Sequence, residues 1–330
     1  MGMAIGDAIG AAVEFEPVRY GGTSVKGVGT SAQGAFRLLP GQWTDDASMG
    51  LCIADSLLTT YPEFSPADLM LRFVGWWFCG YNNAFAADKS RRSKTSVGLG
   101  GNISKSFASF VTKGHALTKA GDTNTSGNGS VMRLAPAAVA FHDNISRARE
   151  VARLSSLTTH QGLEAAGCCE VLAQVIVSAI HAPAGVPAQA LLDSALADFK
   201  CSEPTVNVLA AGDWEKGENP DRDWRWRRPD HRYAPSRAQQ QPGYVGSYCM
   251  DATAMALHCV YTTTSFSEAV LKAANMRGDA DSVASVTGQL AGAIYGVGAI
   301  PKEWLAAVQQ WDRGGDIALR AHKLFHHTPL

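Results

Sequence analysis

Apolar positions in this chain recur at intervals of three and four, and strict alternation is scarce. That spacing predicts helices. Across residues 162–181, Leu163, Ala166, Val171, Leu172, Val175 and Ile176 fall at helical intervals. Ser65 followed by Pro66 marks a helix start ahead of 67–79, a hydroxyl cap with proline in the first turn. Ser265 with Glu268 forms a capping box before 269–275. Further helices are predicted over 147–157, 188–199, 248–261, 301–310 and 316–325. With no strand–helix rhythm, the expected fold is all-α, one compact helical bundle over residues 1–330.

Three stretches break the helical rhythm. Residues 17–42 are glycine-rich, 81–101 are polar, and 213–243 hold Trp214, Trp224 and Trp226 among prolines. The last is expected to be a long surface loop or flap. Its interleaved aromatic and basic residues would suit a single nucleic-acid strand. From Asp213 to Arg232, however, six basic side chains are matched by six acidic ones, so the stretch is neutral. Residues 283–300 carry no charge and approach the length of a membrane span. Four glycines, Ser285, Thr287 and Gln289 interrupt them, so a single buried helix is expected there and no membrane partner.

Composition narrows the class further. Hydrophobic residues make up 46% of the 330 and charged residues 18%, with a formal net charge of −1. Nothing in that balance favours a polyanionic partner. The seven cysteines are odd in number and contain no C-x-x-C pair, which argues against a zinc site or a disulfide framework. The opening MGMAIGDAIG lacks a basic leader region. A cytoplasmic monomer is therefore expected.

The chemistry concentrates in short acidic motifs far apart in sequence. Thr44, Asp45 and Asp46 precede one apolar-periodic run, and Asp279, Asp281 and Ser282 precede the uncharged stretch. Helix caps and first-turn acids explain one such motif well. Two motifs, each with three oxygen-bearing side chains, offer more than capping requires. Four converging carboxylates repel one another unless a cation joins them. Hard oxygen donors of this kind suit Mg²⁺ or Mn²⁺ rather than zinc. Asp7 and Glu14, seven positions apart in a predicted first helix, share a face of it and have small residues between them.

Taken together, GDAIGAAVEF, QWTDDASM, SGNGSVMRLAP, TTHQ and GDADSVASVTGQLAGAIYG, in that order, resemble the ADP-ribosylglycohydrolase family. That family includes the glycohydrolases that reactivate dinitrogenase reductase. The resemblance spans nearly the whole chain. It implies an all-helical hydrolase with two Mg²⁺ or Mn²⁺ ions in a cleft, cutting the bond between the distal ribose of ADP-ribose and a protein or small-molecule acceptor. Thr44, Asp45, Asp46, Asp279, Asp281 and Ser282 match its metal ligands. Glu14 and Asp46 are the candidates for moving the proton. Gly101, the segment Thr125, Ser126, Gly127, Asn128, Gly129 and Ser130, and also His160 and Tyr244, match positions around ADP-ribose. Glycines in such a loop let backbone N–H groups approach phosphate oxygens.

Two departures bear on the acceptor. Leu99 stands where many bacterial relatives carry an aspartate implicated in handling arginine-linked ADP-ribose, which counts against arginine. The tryptophan-rich stretch 213–243 is not a core family feature and is expected to cover the cleft or shape acceptor choice. Nucleic acid enters only as an ADP-ribosylated substrate. The competing reading is a non-catalytic ADP-ribose-binding or structural protein that keeps the fold; the six intact ligands favour the enzyme.

Overall fold

The computed structural model of the chain describes residues 1–29, 33–122, 125–215, 219–313 and 315–327. Among them the helices run in order α1 (Gly2–Gly10), α2 (Asp45–Thr60), α3 (Pro66–Cys79), α4 (Gly101–Lys113), α5 (Ala135–Ala140), α6 (Ile145–Ser156), α7 (Leu163–His181) and α8 (Ala188–Leu196). They continue as α9 (Pro204–Ala211), α10 (Pro235–Gln240), α11 (Cys249–Tyr261), α12 (Phe266–Asn275), α13 (Ala280–Tyr295), α14 (Lys302–Gln309) and α15 (Asp316–Phe325). Extended pairing among the described residues is limited to isolated bridges, such as Gly127 with Tyr248. The all-α expectation holds.

The core is organised around α13, which packs against α1, α7, α11 and α12. Contact with α1 is set by small residues. A Cβ added at Gly6 would lie 2.1 Å from the Ala284 carbonyl oxygen, and one at Gly10 2.3 Å from that of Ala280. The two backbones touch, so only glycine fits on the α1 side. This contact brings the first residues of the chain against residues 280–288.

Local signals explain the well-placed helices. Ser65 Oγ accepts the Asp68 N–H, and Ser265 Oγ accepts the Glu268 N–H. The Glu268 carboxylate reaches back to the Thr264 N–H, one residue beyond the cap. Helix α7 has a mean hydropathy of 1.6 and the length to cross a membrane, yet 72% of that window is buried inside the protein. It is a core helix.

Three expectations change. The uncharged run 283–300 is not one helix: α13 stops at Tyr295, Gly296 takes φ 74°, and a 3₁₀ turn follows with Val297 63% exposed. Second, α4 falls where no helix is predicted, because its N-cap is Gly100 and its buried apolar side chains are only Ile103 and Phe107. Third, the described residues of 213–243 lie at the surface but are anchored rather than free as a flap. Trp224 and Trp226 are buried, and Trp226 Nε1 donates to the Leu209 carbonyl at 2.8 Å. Arg222 donates to Glu164 and to the Tyr248 hydroxyl, and Arg237 makes a two-pronged pair with Asp251. Indole burial and paired arginines fasten the segment to α7, α9 and α11 as a buttress.

Candidate metal centre

Two helices point their N-termini at one place. α2 begins with Asp45 and Asp46, and α13 begins after Asp279 with Asp281 in its first turn. The capping explanation fails on inspection, because neither Thr44 nor Asp279 caps its own helix with its side chain. The α2 cap comes from α1 instead. Asp7 accepts the Thr44 N–H at 2.9 Å, the Thr44 hydroxyl at 2.9 Å and the Ala47 N–H at 3.0 Å. The carboxylates that open the two helices are thereby left free to face each other. Helix N-termini favour that negative charge.

Glu14 arrives by a route the sequence did not indicate. Helix α1 ends at Gly10, so Asp7 and Glu14 do not share a helical face. Gly10 itself packs closely on Ala280 at the start of α13. The chain turns, Phe15 takes φ 66°, and its N–H donates to the Gly278 carbonyl at 2.9 Å. That turn lays Glu14 over the start of α13.

The result is two carboxylate triads with a shared member. Oxygens of Asp7, Asp46 and Asp281 lie within 4.8 Å of one another, and so do those of Glu14, Asp279 and Asp281. Thr44 Oγ1 sits 3.5 Å from Asp46 and 3.4 Å from Asp281. Asn128 Nδ2 donates to Asp279 at 3.1 Å and to the Gly246 carbonyl at 3.0 Å, holding that carboxylate in place. The Ser282 N–H donates to Asp281 at 2.8 Å. One oxygen of Glu14 and one of Asp46 are buried without a hydrogen-bond partner.

Electrostatics follow from that crowding. Burial, reinforced by Asp281 and Asp7, pushes the carboxyls of Asp45 and Asp46 well above the ordinary range. Burial and the neighbouring Asp281 do the same to Asp279. Glu14 is raised by burial and then by Asp281 and Asp279. Asp281 is raised by burial and Asp7. Asp7 reaches only about 6, because the Ala47 and Thr44 hydrogen bonds oppose its burial. No arginine or lysine forms an ion pair with any of these six among the described residues. Crowded carboxylates with orphaned oxygens and hydroxyl neighbours fit hard divalent cations.

Glu14, Asp45, Asp279 and Asp281 line the floor of a cavity of about 600 Å³. Of the residues expected around a ligand, Glu14, Asp45, Gly101, Gly127, Asn128, Gly129, His160, Tyr244, Asp279, Asp281 and Ser282 reach its wall. Thr44 and Asp46 lie just behind it, buried. Thr125, Ser126 and Ser130 do not reach the wall: Thr125 Oγ1 turns to the Asp122 N–H, Ser126 packs against Gly162, and Ser130 bonds Ser156. No described residue of 213–243 lines it, so the described part of that stretch does not cover the cleft.

Sequence reasoning missed an aromatic rim. The Phe15 ring lies tilted against Tyr244 at 5.2 Å and edge-to-face with Phe36 at 6.1 Å, and all three line the cavity. Isolated phenylalanines in loops carry no periodic signal. Leu99 does line the cavity, next to Gly98. A Cβ at Gly98 would meet Asp45 Oδ1 at 1.8 Å, so the loop can pass over that carboxylate only as glycine.

The chain belongs to the ADP-ribosylglycohydrolase family, whose sequence model matches residues 1–329. Membership makes it a hydrolase acting on ADP-ribose adducts. It is 31% identical to the ADP-ribosylarginine hydrolase Tri1 of Pseudomonas putida (strain GB-1), over 100% of this chain and 77% of that protein. It is 26% identical to the ADP-ribosyl-[dinitrogen reductase] glycohydrolase of Rhodospirillum rubrum, over 93% of this chain and 87% of that one. A solved structure titled as an ADP-ribosylglycohydrolase-related protein complex superposes with a TM-score of 0.72 at 31% identity, covering 98% of this chain and 95% of that chain.

Proposed function

We propose that this protein is a divalent-cation-dependent ADP-ribosylhydrolase that cleaves the bond between the distal ribose anomeric carbon and an acceptor, releasing ADP-ribose. The observation that carries the reading is the pair of carboxylate triads sharing Asp281 beneath the cavity. Two Mg²⁺ or Mn²⁺ ions fit that division, one among Thr44, Asp46 and Asp281 with Asp45 beside them, the other among Asp279, Asp281 and Ser282. When bound, such ions neutralise the carboxylates and supply positive charge to hold sugar oxygens and water.

The chain's own groups then divide the work. Asp7 stays on the backbone of α2 and fixes where Thr44, Asp45 and Asp46 point. Asn128 fixes Asp279. Between the two proton-moving candidates, Glu14 reaches the cavity and Asp46 does not, which favours Glu14. In the overall reaction water gives its hydroxyl to the anomeric carbon and its proton to the leaving acceptor; Glu14 is placed to carry that proton. The rim of Phe15, Phe36 and Tyr244 offers flat apolar faces to a base.

Arginine-linked ADP-ribose is the first acceptor to test, because the relative from Pseudomonas putida bears that name. Leu99 on the cavity wall weighs the other way. The deciding assay follows release of free ADP-ribose with Mg²⁺, Mn²⁺ or EDTA from arginine-, serine- and nucleobase-linked substrates, O-acetyl-ADP-ribose and the polymer. Cation-dependent release from one of them supports the reading and names the acceptor. Binding of ADP-ribose without release from any would replace it with a non-catalytic one.

A further inference from the structure

Arg133 is fully buried yet makes no ion pair with a carboxylate among the described residues. Its guanidinium lies 4.5 Å over the Phe73 ring and donates from Nη2 to Thr159 Oγ1 at 2.7 Å. Longer contacts reach the Ser155 carbonyl and Met49 Sδ. Burying such a cation is costly, and the metal-site assignment gives it no task. Its principal partner, Thr159 Oγ1, is 2.8 Å from His160 Nδ1. His160 is itself 2% exposed and lies on the wall of the cavity.

The polarity of this chain can be read without seeing a hydrogen. Guanidinium only donates, so Thr159 Oγ1 is the acceptor in the first link. The threonine hydroxyl has one proton, and His160 Nδ1 is the remaining partner recorded for it. Were Nδ1 protonated instead, the hydroxyl proton would be buried with no acceptor, which leaves its desolvation uncompensated. Nδ1 therefore accepts. Burial, with the Arg133 charge beside it, pushes the imidazolium down to about 3, so the ring is neutral. The ring proton then sits on Nε2. That nitrogen lies against the Gly127–Gly129 turn, where added Cβ atoms would meet it at 3.3 and 3.2 Å. Among the described residues the ring's one side-chain hydrogen bond is that of Nδ1, and Nε2 is left to the cavity side.

We propose that Arg133, acting through Thr159, is a positioning residue that locks His160 in its Nε2–H form and so presents one fixed donor to an oxygen of the ADP-ribose moiety at the Gly127–Gly129 turn. The proposal rests on the ADP-ribosylhydrolase reading for the identity of the ligand. Its tests read binding and ring protonation rather than turnover.

Thr159→Val removes the relay hydroxyl while keeping the side-chain shape; Thr159→Ser restores the hydroxyl. With ¹⁵N-labelled histidine, and His160→Asn to assign the signal, wild-type protein is expected to show a proton-free Nδ1 and a protonated Nε2. Thr159→Val is expected to shift His160 towards the other tautomer and to weaken ADP-ribose binding about tenfold by calorimetry. Thr159→Ser is expected to recover both, which a general packing defect would not allow. A wild-type Nδ1–H signal overturns the proposal. So does a Thr159→Val variant with unchanged tautomer, or with unchanged affinity. If ADP-ribose binds and the relay behaves as expected while no adduct is hydrolysed, the hydrolase reading alone fails. A wild-type protein that holds the tautomer but does not bind ADP-ribose overturns both.

Discussion

The two ends of α2 handle buried aspartates in opposite ways. Asp55, near the C-terminal end, is 4% exposed and is met by Arg320 at 2.6 Å, the Tyr81 hydroxyl at 2.6 Å and Asn82 Nδ2 at 2.8 Å. Burial alone would push its carboxyl up, but those hydrogen bonds outweigh it and the group sits below its ordinary range. Asp46, nine positions earlier, is fully buried, has an orphaned oxygen and is pushed far up by burial and four further aspartates. One end brings its own cation from α15. The other end gathers more negative charge and leaves the neutralising charge to come from solution. Buried charge normally survives only when paired, so the difference marks α2's N-terminus as built for a ligand and its C-terminal half as built for stability.

The sharpest way to break this contrast is to exchange the fates of the two ends. Asp281→Asn removes the carboxylate shared by both triads. It is expected to lower the rate of ADP-ribose release on the order of 10³-fold, which corresponds to several kcal/mol of lost charge stabilisation. In EDTA the same variant is expected to melt higher than wild type, since it relieves repulsion. A rate within threefold of wild type would refute the shared-ligand assignment.

Arg320→Ala should do the reverse. It strands Asp55 and is expected to cost about 3 kcal/mol in urea unfolding, while the folded fraction keeps its turnover rate. A loss below 1 kcal/mol would show that the pair contributes little.

Divalent cation should act on one end only. At 100 times its dissociation constant it is expected to add about 2.7 kcal/mol of stability. The pH dependence follows from the direction of each shift. Asp7, Asp45 and Asp46 are raised by burial above the ordinary aspartate range when folded, Asp7 to about 6. They bind more protons when folded, so stability in EDTA falls as pH rises through that window and above. Asp55 is lowered, so its contribution is present above 3.8 and is lost as pH falls through its folded value. Thermal melts from pH 4 to 8, with and without Mg²⁺, are expected to diverge increasingly as pH rises. Parallel curves would contradict the account.

The smallest effect tests how the site is held rather than what it holds. Gly6→Ala places a methyl 2.1 Å from the Ala284 carbonyl, so α1 must move off α13. The expected loss is about 2 kcal/mol, with weaker cation binding because Asp7 and Glu14 ride on that segment. Unchanged calorimetric affinity would show that α1 position is not limiting.

The comparison also explains what the sequence could convey. Acidic pairs before apolar runs at 44–46 and 279–282 were legible because each motif is local and supplies more oxygens than a cap uses. Ser65 and Ser265 were legible for the same reason of locality, and their caps form as expected. Asp7 was visible as a residue but not as the cap of another helix, because a cap supplied across 37 positions has no spacing rule. Glu14 was assigned to a helix that stops short of it, at Gly10; its place is set by the turn at Phe15, whose N–H donates to the Gly278 carbonyl, a tertiary contact. The stretch 213–243 was misjudged because loop composition conceals Trp224 and Trp226, whose burial depends on pockets made by α9 and α11. Arg133 lay inside a quoted motif and drew no attention, since nothing nearby in sequence announces its path to His160.

The span between Thr44 and Asp281, 237 positions apart yet 3.4 Å at closest approach, has a consequence for how the protein is made. Closing so long a loop is slow and yields nothing until both ends arrive. A ribosome must deliver residue 281 before either triad exists, whatever helices have already formed behind it. Uptake of the proposed ions would thus be a late event in the life of each chain, and a fragment ending at α12 would lack both the shared Asp281 and the helix around which the core is organised. Trapping of radioactive Mn²⁺ on chains stalled at successive lengths would therefore time the last step of assembly directly.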